Sequence, residues 1–424
     1  MALANSKDLE LRERALKVIP GGMYGHQSTI LLPEGYPQFF SRAEGARLWD
    51  VDGNSYIDYM CAYGPNLFGY CHAEIDDAAI AQTRRGDVMT GPSPLIVELA
   101  EKFVGMVDHA DWAIFCKNGT DATTMALTIA RAHTGKRKVL TAKGAYHGAA
   151  PWCTPRPAGT IAEDRAHQIH FIYNDIASLE SAVKQAGDDL AAIFAAPFKH
   201  DAFQDQQLPA RDYALRVREI CDRTGALLVV DDVRAGFRLA RDCSWSLVDV
   251  RPDLSTWGKS FANGHPISAL LGSEKARAAA QSIFVTGSFW FAAAPMAAAI
   301  KTLTLIGTSD YLEHTEKMGR RLREGLQQQA AAHTFTLRQT GPAQMPQILF
   351  DDDPDFRKGF AWTQEALKRG VYLHPWHNMF MCAALTEDDV KETLTATDAA
   401  FEAVKKRLPT LKPHPLVAQL FGGH

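Results

Sequence analysis

Short apolar runs alternate with helix-like segments from about residue 90 to about residue 275. A short continuous apolar run between turn residues is typical of a strand that is buried on both faces of a sheet. The candidate strands, in chain order, are WAIFC, KVLTAK, HFIYND, AAIFAAP, ALLVVDD and ISALLG. Their alternation with helices predicts an α/β fold with a mostly parallel sheet.

The segment DATTMALTIARAH, which follows the first candidate strand, has the spacing of an amphipathic helix. Met125, Ala126 and Ile129 fall on one helical face. Asp121 lies in the first turn, where a negative charge complements the helix dipole. We therefore predict a helix that begins just after Gly119.

The two ends of the chain have a different pattern from its centre. They contain turn-rich stretches such as VDGNSY and two long amphipathic segments, YLEHTEKMGRRLREGLQQQAAAH and TEDDVKETLTATDAAFEAVKKRL. We predict a large domain at residues 66–310 and a smaller α+β domain that combines residues 1–65 with residues 311–424.

Composition and charge argue against several classes of protein. Lys and Arg number 45 against 49 Asp and Glu, and the resulting net charge of −4 argues against nucleic acid or an anionic membrane as a partner. The first residues lack the apolar stretch of a secretory signal, and no apolar run reaches the roughly 20 residues of a spanning helix. The seven cysteines contain no C-x-x-C pair. We expect a soluble cytoplasmic protein that binds small molecules and no metal.

The stretch DLSTWGKSFANGHP, residues 253–266, contains a lysine with two competing interpretations. Gly258-Lys259-Ser260 could end a phosphate-binding P-loop, but the first glycine of that motif is replaced by Asp253, which would repel a triphosphate. A dinucleotide-binding fold is also unsupported, because no G-x-G-x-x-G motif follows a strand. The remaining interpretation is a lysine amine that acts as a nucleophile.

Features elsewhere in the chain favour the nucleophile. The candidate strand ALLVV places Asp231 at its carboxyl end, where open α/β sheets bind ligands. A carboxylate there can pair with the ring nitrogen of pyridoxal phosphate, while a lysine binds the cofactor aldehyde as a Schiff base. Asn118, Gly119 and Thr120 lie between a strand and a helix N-terminus and can bind a phosphate. Tyr146 follows another strand and can stack on the cofactor ring.

Taken singly, these residues have ordinary explanations: a helix-capping acid, a plain turn and a core aromatic. Their shared order and placement at strand ends form the specific signal. The motifs resemble the class III aminotransferases, which are fold type I enzymes that use pyridoxal phosphate, and in particular their glutamate-1-semialdehyde aminomutase branch. The resemblance covers nearly the whole chain and runs through RERALKVIPGGMYG, FCKNGTDATTMALTIARAHTGKRKVL, VVDDVRAGFR and STWGKSFANGHPISALLG.

Within that branch the chain is most similar to bacterial fumonisin aminotransferases, which deaminate a long aminopolyol with pyruvate as amino acceptor. The matching stretches include PGGMYGH, DYMCAYGPNL, MTGPS, TGSFWF and TGPAQMPQI. The resemblance implies a ping-pong transamination of a long-chain aliphatic amine. An aminomutase, a racemase or decarboxylase on the same cofactor, and a cofactor-binding regulator without turnover are the alternatives.

The resemblance also implies roles for individual residues. Lys259 corresponds to the Schiff-base lysine and Asp231 to the partner of the ring nitrogen, while Val233 packs on the ring opposite Tyr146. His147, the next residue of the AYHG motif, is assigned to the cofactor site as well.

Asn118, Gly119 and Thr120 correspond to the family's phosphate-binding turn. Ser288 corresponds to a threonine that reaches the phosphate from the neighbouring subunit, and this match implies a homodimer with shared active sites. The family's Glu-Pro is replaced by Ala196-Pro197, so the partner of the cofactor's phenolic oxygen stays open.

Apolar residues in loops predict a pocket that would bury a long aliphatic amine. The candidate lining residues are Tyr24, Tyr63, Phe289, Trp290, Phe291, Trp376, Met379 and Met381. The late segment HPWHNMFMCAALT offers no arginine for an α-carboxylate, so Arg234 and Arg238 are the candidates for the carboxylate of pyruvate.

Overall fold

A computed structural model of the chain describes residues 3–421. The helices are α1 (Ser6–Val18), α2 (Ala73–Arg85), α3 (Leu95–Val104), α4 (Gly119–Thr134), α5 (Ala162–Arg165), α6 (Ile176–Ala186), α7 (Arg211–Thr224), α8 (Glu274–Ser282), α9 (Ala293–Thr308), α10 (Tyr311–Ala332), α11 (Arg357–Leu367), α12 (Glu387–Arg407) and α13 (Pro415–Phe421). The strands are β1 (Phe40–Glu44), β2 (Arg47–Asp50), β3 (Ser55–Asp58), β4 (Trp112–Cys116), β5 (Lys138–Ala142), β6 (Gln168–Phe171), β7 (Leu190–Ala195), β8 (Leu227–Asp231), β9 (Leu254–Trp257), β10 (Ser268–Gly272), β11 (Leu337–Thr340), β12 (Gln347–Phe350) and β13 (Val371–Tyr372).

Seven strands form the largest sheet, in the order β4-β10-β9-β8-β7-β5-β6. β10 is antiparallel to both of its neighbours, while the strands from β9 to β6 pair in parallel. The mixed α/β fold with a mostly parallel sheet is thus confirmed. The sequence predicts six of these strands but not β9, because the residues of β9, LSTW, mix polar and apolar types.

The central strands are buried on both faces, which explains their continuous apolar runs. In β8, Leu228 and Val230 belong to one apolar cluster, and the alternating residues Leu227 and Val229 belong to another. Helices cover both clusters, with α4 and α8 packed together on the second.

The topology brings several chain segments to one edge of the sheet. β5, β7, β8 and β9 run in the same direction, so their carboxyl ends meet at that edge. β4 shares this direction, since both β4 and β9 are antiparallel to β10. The loops that follow these strands contain Asn118, Tyr146, His147 and Lys259, while Asp231 is the last residue of β8.

A third apolar cluster joins the two ends of the chain. It includes Ile57 of β3, Leu322 of α10 and Phe401 of α12. β13 extends the sheet β1-β2-β3 in parallel with β3, and β11 and β12 form an antiparallel pair. The domain boundaries at residues 65 and 310 stay a prediction. In the described part of the chain, no helix is long and apolar enough to cross a bilayer.

Candidate active site

Lys259 is held in an unusual backbone conformation directly after β9. It begins a 3-10 turn, Lys259–Ala262, with φ of 49°, in the left-handed region that costs energy for a residue with a side chain. Its Nζ atom donates a hydrogen bond to the carbonyl oxygen of Tyr63 at 2.6 Å. Burial, followed by the cations Arg234 and Arg238, lowers the pKa of Lys259 to about 7. A substantial fraction of this amine is therefore uncharged at neutral pH.

Asp231 is fixed by three donors at the end of β8. Its Oδ1 atom accepts from the hydroxyl of Thr256 at 2.9 Å and from the backbone N–H of Val233 at 3.3 Å, and Oδ2 lies 2.7 Å from Nδ1 of His147. Thr256 reaches this carboxylate because it is directly opposite Asp231 in the β8–β9 pairing. The sequence reading did not identify Thr256, since a pairing register cannot be read from one chain.

His147 presents a buried nitrogen to the same region. Its Nδ1 atom is occupied by Asp231, and its carbonyl accepts from the hydroxyl of Thr123 at 2.7 Å. Within residues 3–421, Nε2 is buried and makes no hydrogen bond. Buried polar atoms in proteins nearly always have a partner, so an unpartnered one next to Asp231 marks a place where a bound group is expected.

The N-terminus of α4, where the sequence predicts a phosphate-binding turn, lies beside these residues. Asp121 accepts from the backbone N–H of Asn118 at 2.9 Å and so closes the first turn of the helix. The hydroxyl of Thr120 accepts from the backbone N–H of Ala149 at 3.1 Å, which ties the turn to the loop after β5. Helix N–H groups without internal partners attract phosphate at such a position.

Two glycines keep this turn free of side chains. A Cβ atom at Gly119 would lie 2.7 Å from Cγ1 of Val233, and a Cβ atom at Gly148 would lie 2.6 Å from the hydroxyl oxygen of Thr120. Both distances are shorter than real Cβ contacts. The close approach of the three chain segments thus depends on glycine at both positions.

Tyr146 and Ser288, both predicted for the cofactor, lie in exposed positions of the single chain. Of the two substrate candidates that follow Ser288, Phe289 is exposed and Trp290 is half-buried. Tyr146 leaves 45% of its side chain exposed, so its ring is not a core aromatic and is available for stacking. Ser288, Phe289 and Trp290 lie on the 3-10 turn Ser288–Phe291. In the described part of the chain, no hydrogen bond or ring contact connects these three residues to Lys259.

Three histidines from two separate segments surround the ring of Tyr63. The ring centroid of Tyr63 lies 4.6 Å from His26, 5.5 Å from His377 and 6.1 Å from His374. The sequence does not predict this cluster, because His26, Tyr63 and the stretch 374–377 are distant in the chain and follow no motif. Tyr24, predicted to line the pocket, is 74% exposed beside it.

The two arginines considered for a substrate carboxylate differ in their surroundings. Arg238 is fully buried, and its terminal nitrogens donate to the carbonyls of Met381 and Gly64 at 2.8 and 2.6 Å. Arg234 donates through Nη1 to Oδ1 of Asn378 at 2.9 Å, while its Nε and Nη2 atoms make no hydrogen bond within residues 3–421. Arg234 therefore has donors to offer near Lys259, whose pKa it lowers.

Two methionines expected in the pocket belong to the core instead. Met379 and Met381 are fully buried in the apolar cluster that joins the two chain ends. Trp376, between them and β13, stacks on the ring of Phe203 with centroids 4.6 Å apart.

The chain that contains this lysine, carboxylate and helix N-terminus is similar to known proteins. Residues 33–401 match the aminotransferase class-III family. The chain is a class III aminotransferase. It is 62% identical to the aminopentol aminotransferase of Sphingopyxis macrogoltabida over 98% of this chain and 99% of that protein. It is 32% identical to the 3-aminobutyryl-CoA aminotransferase of Cloacimonas acidaminovorans, over 95% and 98% of the two chains.

A solved structure agrees with this assignment. The internal-aldimine form of the Sphingopyxis sp. MTA144 FumI protein, which contains PLP, superimposes with a TM-score of 0.97 at 62% identity, over 97% of this chain and 100% of that one. Glutamate-1-semialdehyde 2,1-aminomutases are more distant relatives, at 28% to 31% identity. This class III aminotransferase has the fold type I architecture, and pyridoxal phosphate is its cofactor.

Proposed function

We propose that the enzyme moves the amino group of a long-chain aliphatic aminopolyol to pyruvate, leaving a ketone and alanine. The arrangement of Lys259, Asp231 and the N-terminus of α4 at one sheet edge carries the transaminase part of this proposal. The 62% identity to an aminopentol aminotransferase over nearly the full length supports the aminopolyol. Pyruvate as acceptor and the ping-pong order follow from the family resemblance.

The residues at the sheet edge fit pyridoxal phosphate. Lys259 offers an amine for the aldehyde, and Asp231 offers a carboxylate for the ring nitrogen. The free Nε2 of His147 and the ring of Tyr146 are available for further contacts. Val233 would pack on the ring opposite Tyr146, next to the glycine-lined turn.

The phosphate would bind at Asn118, Gly119 and Thr120. Their turn opens α4, and within residues 3–421 the backbone N–H groups of Gly119 and Thr120 donate no hydrogen bond. The glycine at position 119 lets the backbone come close to the bound group.

When bound, the cofactor supplies an electron-accepting ring that weakens the bonds at the amine-bearing carbon. Once the substrate amine has displaced it from the aldehyde, Lys259 would take a proton from that carbon as a general base and deliver it to the former aldehyde carbon of the cofactor as a general acid. A pKa of about 7 suits this exchange, because both protonation states are populated at neutral pH. The carbonyl of Tyr63 positions the amine, and Asp231, oriented by Thr256 and His147, holds the negative charge that keeps the ring nitrogen protonated.

Arg234 is the side chain we assign to the carboxylate of the acceptor. Its free Nε and Nη2 atoms can form two parallel hydrogen bonds with a carboxylate. Asn378 anchors its other nitrogen at 2.9 Å, so the guanidinium is already oriented. Arg238, engaged by two backbone carbonyls, supports the loops around the lysine in this proposal.

The proposal includes a homodimer in the cytoplasm, with Ser288 contributing to the phosphate site of the partner subunit. Large apolar side chains flank Ser288 in exposed positions: Phe284 is 89% exposed and Phe289 is 64% exposed. Exposed apolar groups of this kind favour an interface.

A spectroscopic titration tests the proposed reaction. The visible absorbance band of the loaded enzyme should disappear when a long-chain amine is added and return when pyruvate follows, with alanine released. Lys259→Ala should abolish both responses. Asp232→Asn is the matched control for Asp231→Asn: Asp232 accepts from the backbone N–H of Ser244 at 2.8 Å and plays no part in the scheme, so only Asp231→Asn should reduce turnover by at least about 100-fold.

The same titration distinguishes a transaminase from an aminomutase. Recovery of the band without pyruvate, after addition of a diamine of the glutamate-semialdehyde type, would contradict the transaminase proposal.

A further inference from the structure

The imidazole of His377 is fixed in one tautomer. Its Nδ1 atom lies 2.6 Å from the carbonyl oxygen of Asn378. A carbonyl oxygen only accepts hydrogen bonds, so Nδ1 carries the proton. Burial, and next the cation of Arg234, keep the pKa of His377 well below its usual value, so the ring stays neutral. Nε2 is therefore an unprotonated acceptor.

Nε2 of His377 lies in the same part of the site as the amine of Lys259. The ring of His377 contacts the ring of Tyr63 edge-on, with centroids 5.5 Å apart. The carbonyl of Tyr63 holds Nζ of Lys259 at 2.6 Å. Nε2 of His377 makes no hydrogen bond within residues 3–421, and His377 is half-buried. A group that enters the site can reach it.

Hydrogen bonds hold the loop around His377 on both sides of this residue. Nδ1 of His374 accepts from the backbone N–H of His377 at 3.1 Å and from that of Trp376 at 3.4 Å. On the other side, Oδ1 of Asn378 accepts from Arg234 at 2.9 Å. One loop thus positions a neutral acceptor and, next to it, a cationic donor.

We propose that His377 is a specificity-determining residue that accepts a hydrogen bond from a hydroxyl group of the amine substrate, on a carbon next to the one bearing the amino group. The proposal rests on the proposed function. It assigns recognition of the amine substrate to His377 and recognition of the acceptor's carboxylate to Arg234. A hydroxyl has a proton to donate to Nε2, whereas a carboxylate has none and would bind the guanidinium of Arg234 instead. His377 and Lys259 both contact Tyr63, one through its ring and the other through its carbonyl, so we assign the recognised hydroxyl to a carbon next to the one on which Lys259 acts.

Two amines of equal chain length test this assignment, one with a hydroxyl next to the amine-bearing carbon and one without it. The measurement is kcat/KM for each amine, with pyruvate as acceptor, for the loaded wild-type enzyme, His377→Phe and His377→Gln. We expect the wild type to prefer the amino alcohol and His377→Phe to reduce that preference by about 3- to 10-fold, the effect of one net hydrogen bond. The amide oxygen of glutamine can still accept, so His377→Gln should keep part of the preference.

His26→Phe is the matched control, because the ring centroids of His26 and Tyr63 also lie close together, 4.6 Å apart, yet no hydrogen bond within residues 3–421 fixes the tautomer of His26. This variant should keep the wild-type preference. An unchanged preference in His377→Phe, or its loss in His26→Phe alone, would overturn the proposal. Loss of turnover of both amines in His377→Phe would also overturn the proposal, because His377 would then be needed for the turnover of any amine and not only for selecting between amines. Failure of the proposed function is distinguishable, since it would show as no turnover of either amine by the wild type.

Discussion

The chemistry at Lys259 depends on the environment of a single amine. Burial disfavours its charged form, and the nearby cations Arg234 and Arg238 act in the same direction. The carboxylate of Asp231 opposes them without restoring the ordinary value. In the proposed function, this environment lets the amine act as a nucleophile and a proton carrier at neutral pH.

A labelling experiment measures this pKa directly. In the cofactor-free protein, labelling of Lys259 by a limiting amine reagent should rise with pH through a midpoint of about 7, because only the uncharged amine reacts. Peptide mass spectrometry locates the labelled residue. Replacing Arg234 with methionine removes one cation and should move the midpoint upward. A midpoint near about 10, as for an ordinary lysine, would contradict the proposed environment.

At the scale of elements, α4 couples the packing of the sheet to anion binding. Its N-terminus approaches Val233 so closely that only glycine fits at position 119, whereas its C-terminal end, at Gly135, is open. The sequence predicted the start of this helix to within one residue, because the apolar spacing and Asp121 are local signals. It did not predict β9, whose pairing with β8 and β10 outweighs its mixed composition.

The two ends of α4 allow a matched pair of substitutions. Gly119→Ala should raise the Kd for pyridoxal phosphate by at least about tenfold, because the added Cβ displaces Val233 and widens the turn. Gly135→Ala should lower only the Tm, since its left-handed φ of 67° disfavours alanine and no atom lies near the added Cβ. Fluorescence titration of the cofactor-free protein gives the Kd. Equal cofactor affinities in the two variants would contradict the role of the turn.

At the scale of the whole molecule, the proposed homodimer would complete each site with a residue of the second subunit. Ser288 is exposed on its turn and makes no hydrogen bond to the phosphate-binding residues of its own chain in the described range. Symmetric dimers place the same surface of both subunits in contact, so each could supply the other's site.

Mixing two inactive dimers tests this sharing. Lys259→Ala and Ser288→Asp homodimers should both have little activity, the second because an added carboxylate repels phosphate. After dissociation and random reassociation, half of the dimers carry one intact site, so about a quarter of wild-type activity should return. If Ser288 acted within its own chain, no subunit of the mixed dimer would have an intact site and activity would not return.

The sequence alone determined the fold class, the family and the lysine, carboxylate and phosphate-turn candidates. These signals are local, since each lies within one strand, turn or helix start and keeps its meaning without knowledge of neighbours. The tertiary structure decided what surrounds them. The carbonyl that holds Lys259 belongs to a residue 196 positions away, and Thr256 meets Asp231 only through the strand register. The contrast between Arg234 and Arg238 likewise depends on contacts between distant segments, because a side chain's free donors are set by its neighbours in space.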